Sequence, residues 1–252
     1  MSEGVENPRS SVFTTMVFSK NRGVLLLKPH LNRMRDHATK LKIDSSAIVH
    51  QSVQNLLQNQ PPEIDEGLVR IECSSTLQMK VNYRPFEIRN EYVDAVTVPS
   101  PVWPARVAGT KHGAWSAYRA AKLDANKAGA DLALMIHEHS IVDGDRCTPV
   151  VMDEDGIIWF SDSPFSVESI TLNALKSTLL AEGYHIQSGK LNERLVARCA
   201  ELVAVGSGIG VVKIESIDGE PVGQEGMNLF NTCKSMIEQI EDDPRNWTGG
   251  WG

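Results

Sequence analysis

The sequence contains no apolar run near the roughly 18 to 20 residues that a membrane-spanning helix needs, and no block rich in lysine and arginine. Its formal net charge of -7 disfavours a nucleic-acid-binding surface. The four cysteines are scattered without CxxC spacing, so neither a disulfide framework nor a zinc site is predicted. The N-terminus also lacks the basic and apolar regions of a signal peptide. We therefore expect a soluble, cytoplasmic protein with no nucleic-acid or membrane partner.

Several catalytic signatures are missing too. There is no GxxxxGKS/T phosphate loop and no GxSxG nucleophile elbow. His137 and His139 alternate as residues at a strand edge do, but no third ligand has a natural spacing, so an ordinary strand edge is favoured over a metal site. No metal is therefore predicted.

The first 98 residues alternate between strand and helix patterns. The β-rich runs 12–18 and 24–27 flank a turn at 20–23 and predict a hairpin. The run 28–41 has a helical apolar stripe, with Arg33 off that stripe. A second helix is predicted over 45–59, and strands over 67–73 and 76–83.

Three prolines at 98–104 fit neither a helix nor a central strand. We predict an interdomain linker at 99–105, with an N-terminal domain at 1–98 and a C-terminal domain at 106–252. In the C-terminal part the patterns predict strands at 132–136, 148–152, 157–161, 201–205 and 211–217, helices at 169–182, 191–200 and 228–241, and a coil tail at 246–252.

Lys111 lies in a glycine-containing loop just before an alanine-rich helix that ends at Gly129. Partial desolvation against Trp115 and Tyr118 would make its amine available for imine chemistry. A solvated surface lysine is the alternative.

Two further stretches have features of anion sites. The loop 206–210 is glycine-rich and follows a strand, which lets backbone amides approach a phosphate, although a tight connection between two strands is the alternative. Residues 169–171 group the amides and hydroxyls of a helix start, and a plain helix cap is the alternative.

The order of these motifs over residues 12 to 240 resembles the fold-type-IV pyridoxal-phosphate enzymes, that is, the class-IV aminotransferase family with aminodeoxychorismate lyase. The resemblance implies an α/β (α+β) fold with a small N-terminal α/β domain and a C-terminal β-barrel-like domain with helices. It also implies a cofactor in the cleft between the domains and a homodimer. The matching stretches are Phe13-Thr14-Thr15, His30-Leu31-Asn32-Arg33-Met34, Gly109-Thr110-Lys111, Gly129-Ala130-Asp131, Ser169-Ile170-Thr171-Leu172, Gly206-Ser207-Gly208 and Ile217-Asp218-Gly219.

The same resemblance implies the cofactor contacts. Lys111 would bond pyridoxal 5'-phosphate covalently, and Asp143 would pair with its ring nitrogen. Asp143 is one methylene shorter than the family's glutamate, and a turn aspartate before Gly144 is the alternative. The cofactor phosphate would be held by Arg33, Ser207, Gly208 and the amides near Ile170 and Thr171.

Phe13-Thr14-Thr15 and Gly109-Thr110-Lys111-His112 are most similar to the lyase. With Lys111 as acid and base and Thr15 as proton relay, the resemblance implies elimination of pyruvate from a small amino substrate, 4-amino-4-deoxychorismate, to give 4-aminobenzoate for folate biosynthesis. A branched-chain or D-amino-acid aminotransferase and a non-catalytic binding module are the alternatives. For Thr15 itself, the alternative is an ordinary strand residue.

Overall fold

The computed structural model describes residues 6–86, 90–224 and 228–251. The chain forms two compact units. The first comprises Met1–Phe86, Trp103–Ser116 and Glu241–Gly252, and the second comprises Glu87–Val102 and Ala117–Ile240. Because the first unit draws on three stretches, the loop around Lys111 belongs to the same unit as the N-terminal strands. The linker at 99–105 stays a prediction.

The first unit is built on an antiparallel sheet with the strand order β2-β1-β3-β4. Side chains alternate along β1, and the residues of one face, from Val12 to Phe18, enter the core of this unit. The predicted hairpin and the two later strands are confirmed. The strands are β1 (Ser11–Ser19), β2 (Gly23–Val24), β3 (Glu66–Ser74) and β4 (Met79–Arg84).

Two helices accompany this sheet, α1 (Leu27–Leu41) and α2 (His50–Asn59). Helix α1 confirms the predicted helix. Helix α2 begins at His50, so the prediction of a helix from residue 45 was wrong. The Asp44 carboxylate accepts the Ser46 amide, and this local turn competes with helix formation before Val49.

The tail predicted as coil at 246–252 follows a 3-10 turn at Pro244–Asn246 and packs against the core of the first unit. The Trp251 indole donates to the Leu57 carbonyl at 2.8 Å, and its ring lies edge-on to Phe18 and Tyr83. The partly buried Trp251 therefore attaches the tail to the core of this unit.

The second unit contains a ten-stranded sheet with the main order β10-β9-β8-β12-β13-β5-β6-β7-β11 and with β14 beside β13. Strands β7 and β11, at one end of this order, also contact β9 near the other end, so the sheet curls into a near-barrel. The strands are β5 (Tyr92–Pro99), β6 (Leu132–His137), β7 (Ser140–Gly144), β8 (Thr148–Met152), β9 (Ile158–Ser161), β10 (Ile186–Gly189), β11 (Leu191–Asn192), β12 (Glu201–Gly206), β13 (Gly210–Ile217) and β14 (Glu220–Pro221).

Four helices complete the second unit, and their residues fall almost entirely within it. Helix α5 is shorter than the predicted helix at 191–200, because residues 191 and 192 form a strand and Asn192 then caps the helix. The mixed α/β class with a barrel-like sheet is confirmed. The helices are α3 (Ser116–Lys127), α4 (Ile170–Ala181), α5 (Glu193–Ala197) and α6 (Asn228–Asp242). None of the helices in the described ranges is long and apolar enough to cross a bilayer.

Candidate active site

Helix α1 carries a buried polar stripe beside its apolar one. His30, Arg33 and His37 are spaced by three and four residues, which places them on one helical face. All three are buried, and Arg33 is only 5% exposed. Arginine is almost never buried to this extent unless it is paired, so this stripe is a candidate site.

Thr14 on β1 connects the members of this stripe. Arg33 Nη2 donates to Thr14 Oγ1 at 3.0 Å, and the Thr14 hydroxyl lies 2.8 Å from His30 Nδ1. Burial, followed by the charges of Arg33 and Lys111, lowers the pKa of His30 well below its usual value. The neutral imidazole can therefore accept the Thr14 proton, which leaves the threonine oxygen to accept from Arg33.

Lys111 is held through its main chain. Its amide lies 3.1 Å from His37 Nδ1, and its carbonyl accepts the Phe13 amide at 3.4 Å. The half-buried side chain places Nζ 5.0 Å from the ring centre of Trp115 and 5.4 Å from that of Phe13. The amine therefore lies within reach of two aromatic rings that stabilise a cation.

Thr15 lies on the same face of β1 as the Phe13 ring. Side chains alternate along a strand, and Thr15 is paired directly with Arg70 of β3. The Arg70 guanidinium stacks 3.5 Å above the Phe13 ring and forms an ion pair with Glu72 at 3.0 Å. This face, which is also the side of the Lys111 amine, thus combines a hydroxyl, an aromatic ring and two cationic groups.

The positive charges of this region lower the pKa of its histidines. Burial, followed by the positive charges of Arg33, Lys111 and Lys40, lowers the pKa of His37 to about 3. The first unit therefore brings Lys111 and Arg33 into one cationic region and places Thr15 on the Lys111 side of β1. A dianionic group such as a phosphate would be favoured there.

In the second unit, Asp143 is buried on β7 and anchors nearby chain segments. Its carboxylate accepts the amides of Gly144 at 3.0 Å and Val167 at 3.1 Å, and the Tyr118 hydroxyl lies at 3.4 Å. Burial and the Asp143 charge raise the pKa of Tyr118 well above its usual value, so the phenol keeps its proton and donates it. Val167 lies three residues before α4, so Asp143 is tied to the chain that leads into that helix.

The remaining predicted positions occupy two turns of the second unit. Ser169 caps α4 by accepting the Leu172 amide at 3.2 Å, and the buried Ile170 and Thr171 form the first helical positions. Ser207 and Gly208 lie in the tight turn between β12 and β13. An added Cβ at Gly206 would lie 2.9 Å from the Arg146 carbonyl, so this turn packs against the chain just beyond Asp143.

The His137 to His139 stretch is a hairpin turn between β6 and β7, in which Glu138 and His139 have positive φ angles. Within the described ranges, no group of three or more metal-ligating side chains occurs.

Four residues of the first unit were given no role by the sequence analysis: Thr14 and His30, which lie within the matching motifs, and His37 and Arg70, which were not singled out. Their signal was present in part, because the spacing of His30, Arg33 and His37 is that of a helical face. Arg70 gave no such signal, since its position over Phe13 depends on how β3 pairs with β1.

Comparison with known proteins identifies the family of this chain. The sequence profile of the family described as amino-transferase class IV matches residues 11–217, so the chain belongs to the class-IV aminotransferase family. Enzymes of this family use pyridoxal phosphate and act as aminotransferases or lyases. No curated protein is similar enough to the sequence to count as a match.

Solved structures share the fold at low sequence identity. A branched-chain amino acid aminotransferase of T.th., complexed with N-(5'-phosphopyridoxyl)-L-glutamate, has a TM-score of 0.78 at 18% identity, covering 94% of this chain and 87% of that one. A candidate 4-amino-4-deoxychorismate lyase of Legionella pneumophila has a TM-score of 0.79 at 14% identity, with 95% and 96% covered. A hypothetical aminotransferase of Mycobacterium tuberculosis in its PLP-bound form has a TM-score of 0.75 at 16% identity, with 95% and 94% covered.

The residues of the first unit fit this cofactor. The Lys111 amine can react with its aldehyde, and a buried arginine within a cationic region suits its phosphate. The neutral His30 and His37 accept hydrogen bonds from Thr14 and from the Lys111 amide without offsetting the positive charges that would bind the phosphate.

Proposed function

We propose that this chain is a pyridoxal-phosphate enzyme of the aminodeoxychorismate lyase type, which eliminates pyruvate from 4-amino-4-deoxychorismate to give 4-aminobenzoate. The observation that carries the proposal is the face of β1 beside Lys111, where Thr15 and the Phe13 ring lie together. A hydroxyl on that face is suited to relay a proton during elimination.

Pyridoxal phosphate, when bound, supplies an aldehyde that captures an amine and a ring that withdraws electrons from the adjacent carbon. Lys111 is the proposed covalent partner and then the group that takes a carbon-bound proton from the substrate. Thr15 passes a proton at its Oγ1 toward the departing pyruvate portion. Arg70 offers a cationic fork on the same face, where a substrate carboxylate can pair with it.

Arg33 is the proposed ligand of the cofactor phosphate, oriented by Thr14 and His30. Its bonds to these neutral partners fix the guanidinium without neutralising its charge. This is why the buried arginine supports an anion site.

The resemblance assigns further cofactor contacts to the second unit, and we carry them as part of the proposal. Asp143 is the proposed partner of the ring nitrogen, and its described hydrogen bonds fix the carboxylate in place. Donors to the phosphate are proposed at the start of α4, where the helix dipole favours an anion, and in the turn after β12. These donors are Ile170, Thr171, Ser207 and Gly208.

Attachment of the cofactor is tested by reduction. Purified protein incubated with pyridoxal phosphate should absorb in the visible, and borohydride should remove that band and leave a pyridoxyl group on the peptide that contains Lys111. Lys111→Arg should abolish the adduct, whereas Lys28→Arg, on the exposed side of α1, should leave it unchanged. A colourless protein without an adduct would support the non-catalytic binding module instead.

Two assays separate the lyase from an aminotransferase. Pyruvate release from 4-amino-4-deoxychorismate should fall by about a hundredfold in Thr15→Val, because a positioned acid or base contributes roughly that much. Thr15→Ser, which keeps the hydroxyl, should restore most of the rate. Amino transfer from branched-chain or D-amino acids to 2-oxoglutarate, with no pyruvate release and no effect of Thr15→Val, would identify an aminotransferase.

The same proposal includes a homodimeric enzyme that acts on a small amino substrate in the cytoplasm and contributes to folate biosynthesis. The family resemblance supports the homodimer and the substrate, and the scattered cysteines support the cytoplasm. Sedimentation of the purified chain at micromolar concentration tests the homodimer, and a monomer at that concentration would contradict it.

A further inference from the structure

His37 faces the loop that carries the proposed cofactor lysine. It lies on α1, four residues after Arg33, so the two side chains share one helical face. Its Nδ1 lies 3.1 Å from the main-chain amide nitrogen of Lys111, and His37 itself is buried. The imidazole is therefore the acceptor of a hydrogen bond from the lysine's own backbone.

The direction of this bond fixes the form of the ring. An amide can only donate, so Nδ1 must carry its lone pair and the ring proton must reside on Nε2. The neutral form is kept because burial, helped by the nearby positive charges, lowers the pKa of His37 to about 3. The acceptor is thus available throughout the neutral pH range.

A second side chain of α1 holds the same loop. Lys40 Nζ donates to the Ala108 carbonyl at 2.6 Å, three residues before Lys111. On its other side the loop runs along the edge of β1, where Val12 forms a bridge with His112 and the Phe13 amide bonds the Lys111 carbonyl. Gly113 lies so close to the chain before β1 that an added Cβ would be 3.0 Å from the Asn7 carbonyl. The loop is therefore held from two directions.

We propose that His37 is a positioning residue, which fixes the Lys111 main chain to the helical turn that carries Arg33. It would thereby set the separation between the amine that bonds the cofactor and the guanidinium that binds its phosphate. The inference rests on the proposed function for its consequence, but the hydrogen bond itself belongs to the protein without cofactor. The hydrogen bond can therefore be observed without substituting Arg33 or Lys111.

The first test uses the full-length wild-type protein without cofactor. In uniformly ¹⁵N-labelled protein, the His37 ring should show the Nε2-H tautomer, and a coupling across the hydrogen bond should connect its Nδ1 with the Lys111 amide nitrogen. This measurement needs no variant and does not depend on catalysis. An Nδ1-H tautomer, or a Lys111 amide that exchanges as freely as an exposed one, would overturn the proposal.

Variants then test the consequence. His37→Leu removes the acceptor, and we expect the Lys111 amide to exchange roughly tenfold faster, the factor that corresponds to one neutral hydrogen bond. His37→Asn places an amide oxygen near the position of Nδ1 and should restore much of the protection. Lys40→Met, which removes the other bond between α1 and the loop, is the matched control and should affect the Lys111 amide less than His37→Leu does.

The cofactor measurements separate this inference from the proposed function. In His37→Leu, the rate at which borohydride-trapped pyridoxyl appears on Lys111 should fall, with recovery in His37→Asn. Normal trapping rates in both variants would refute the positioning role. If wild-type protein binds no pyridoxal phosphate, the proposed function fails and the positioning of the amine for that cofactor fails with it, while the exchange data still report on the hydrogen bond.

Discussion

His112 offers a quantitative test of how the first unit responds to acid. The ring is 1% exposed and lies edge-on to Trp103 and Trp115, with ring centres 4.8 and 5.7 Å away. Burial lowers the pKa of His112 to about 4, against an opposing effect of the Glu6 carboxylate. Its Nδ1 is buried and makes no hydrogen bond within the described part of the chain. Protonation would therefore place a charge in a position that cannot solvate it.

The sign follows from proton binding. The folded-state pKa of about 4 lies below the reference value of 6.5 for an unfolded chain. Between these values the unfolded state binds more protons, so the stability that the neutral ring provides is present above pH 6.5 and is lost as the pH falls toward 4. At about pH 5 the unfolding free energy should be lower by about 2 kcal/mol from this residue alone.

The perturbation is His112→Phe, which keeps an aromatic ring between the two tryptophans and removes the titrating nitrogen. Urea unfolding followed by tryptophan fluorescence at about pH 7.5 and about pH 5 gives the free-energy difference for each protein. The wild type should lose about 2 kcal/mol more than the variant on acidification. His139→Asn is the control, because His139 has a 90% exposed side chain. An equal loss in wild type and His112→Phe would refute the reasoning.

Two further predictions concern the second unit. The Glu201 carboxylate accepts hydrogen bonds from the amides of Leu229 and Phe230 at the start of α6, both at 2.9 Å. Glu201→Gln should therefore lower the unfolding free energy by about 2 kcal/mol. Glu215→Gln, at an exposed position, is the control, and equal stability of the two variants would contradict this role of Glu201. Burial raises the pKa of Asp145 to about 6 although Arg146 opposes the shift. Because the folded-state pKa exceeds the unfolded-state value, the stability that protonated Asp145 contributes is lost as the pH rises from 3.8 through 6. Acidification from about pH 7 to about pH 5 should therefore raise the unfolding free energy of the wild type by roughly 1 kcal/mol, and Asp145→Asn should not show this gain. Identical pH dependence of wild type and Asp145→Asn would count against it.

Local sequence patterns were sufficient to predict the elements whose buried positions recur within a few residues. Helix α1 and strand β1 both show their period directly in the sequence, and both were predicted close to their observed bounds. Strand β5 was missed, because the prolines that follow it dominated the interpretation of this region. Its partners are also remote, since Ala95 pairs with Leu132 on one side and Lys213 pairs with Tyr92 on the other. Such a strand becomes central only through pairing that no local pattern contains.

The candidate site divides in the same way. Lys111 and Arg33 were found from motif order, and the structure places them in one cationic region of the first unit. His37 was not found, although its spacing from Arg33 could be read from the sequence. The role proposed for His37 depends on its contact with the Lys111 amide, which belongs to a loop 74 positions later in the chain. No local sequence pattern contains that contact. The roles of Lys111, Arg33, Thr15 and Asp143 toward a cofactor and a substrate stay predictions.

The described hydrogen-bond acceptors of the Arg33 guanidinium and of the Lys111 main-chain amide have a common chemical character. Arg33 is bonded to a threonine hydroxyl beside a neutral histidine, and the Lys111 main chain is bonded to another neutral histidine. Carboxylates at these positions would also satisfy the donors, but each would offset a positive charge. Neutral acceptors provide the geometry and leave the charge to act on an anion. Arg33 and Lys111 also lower the pKa of His30 and His37. The two cations therefore help to keep neutral the histidines that hold them in place.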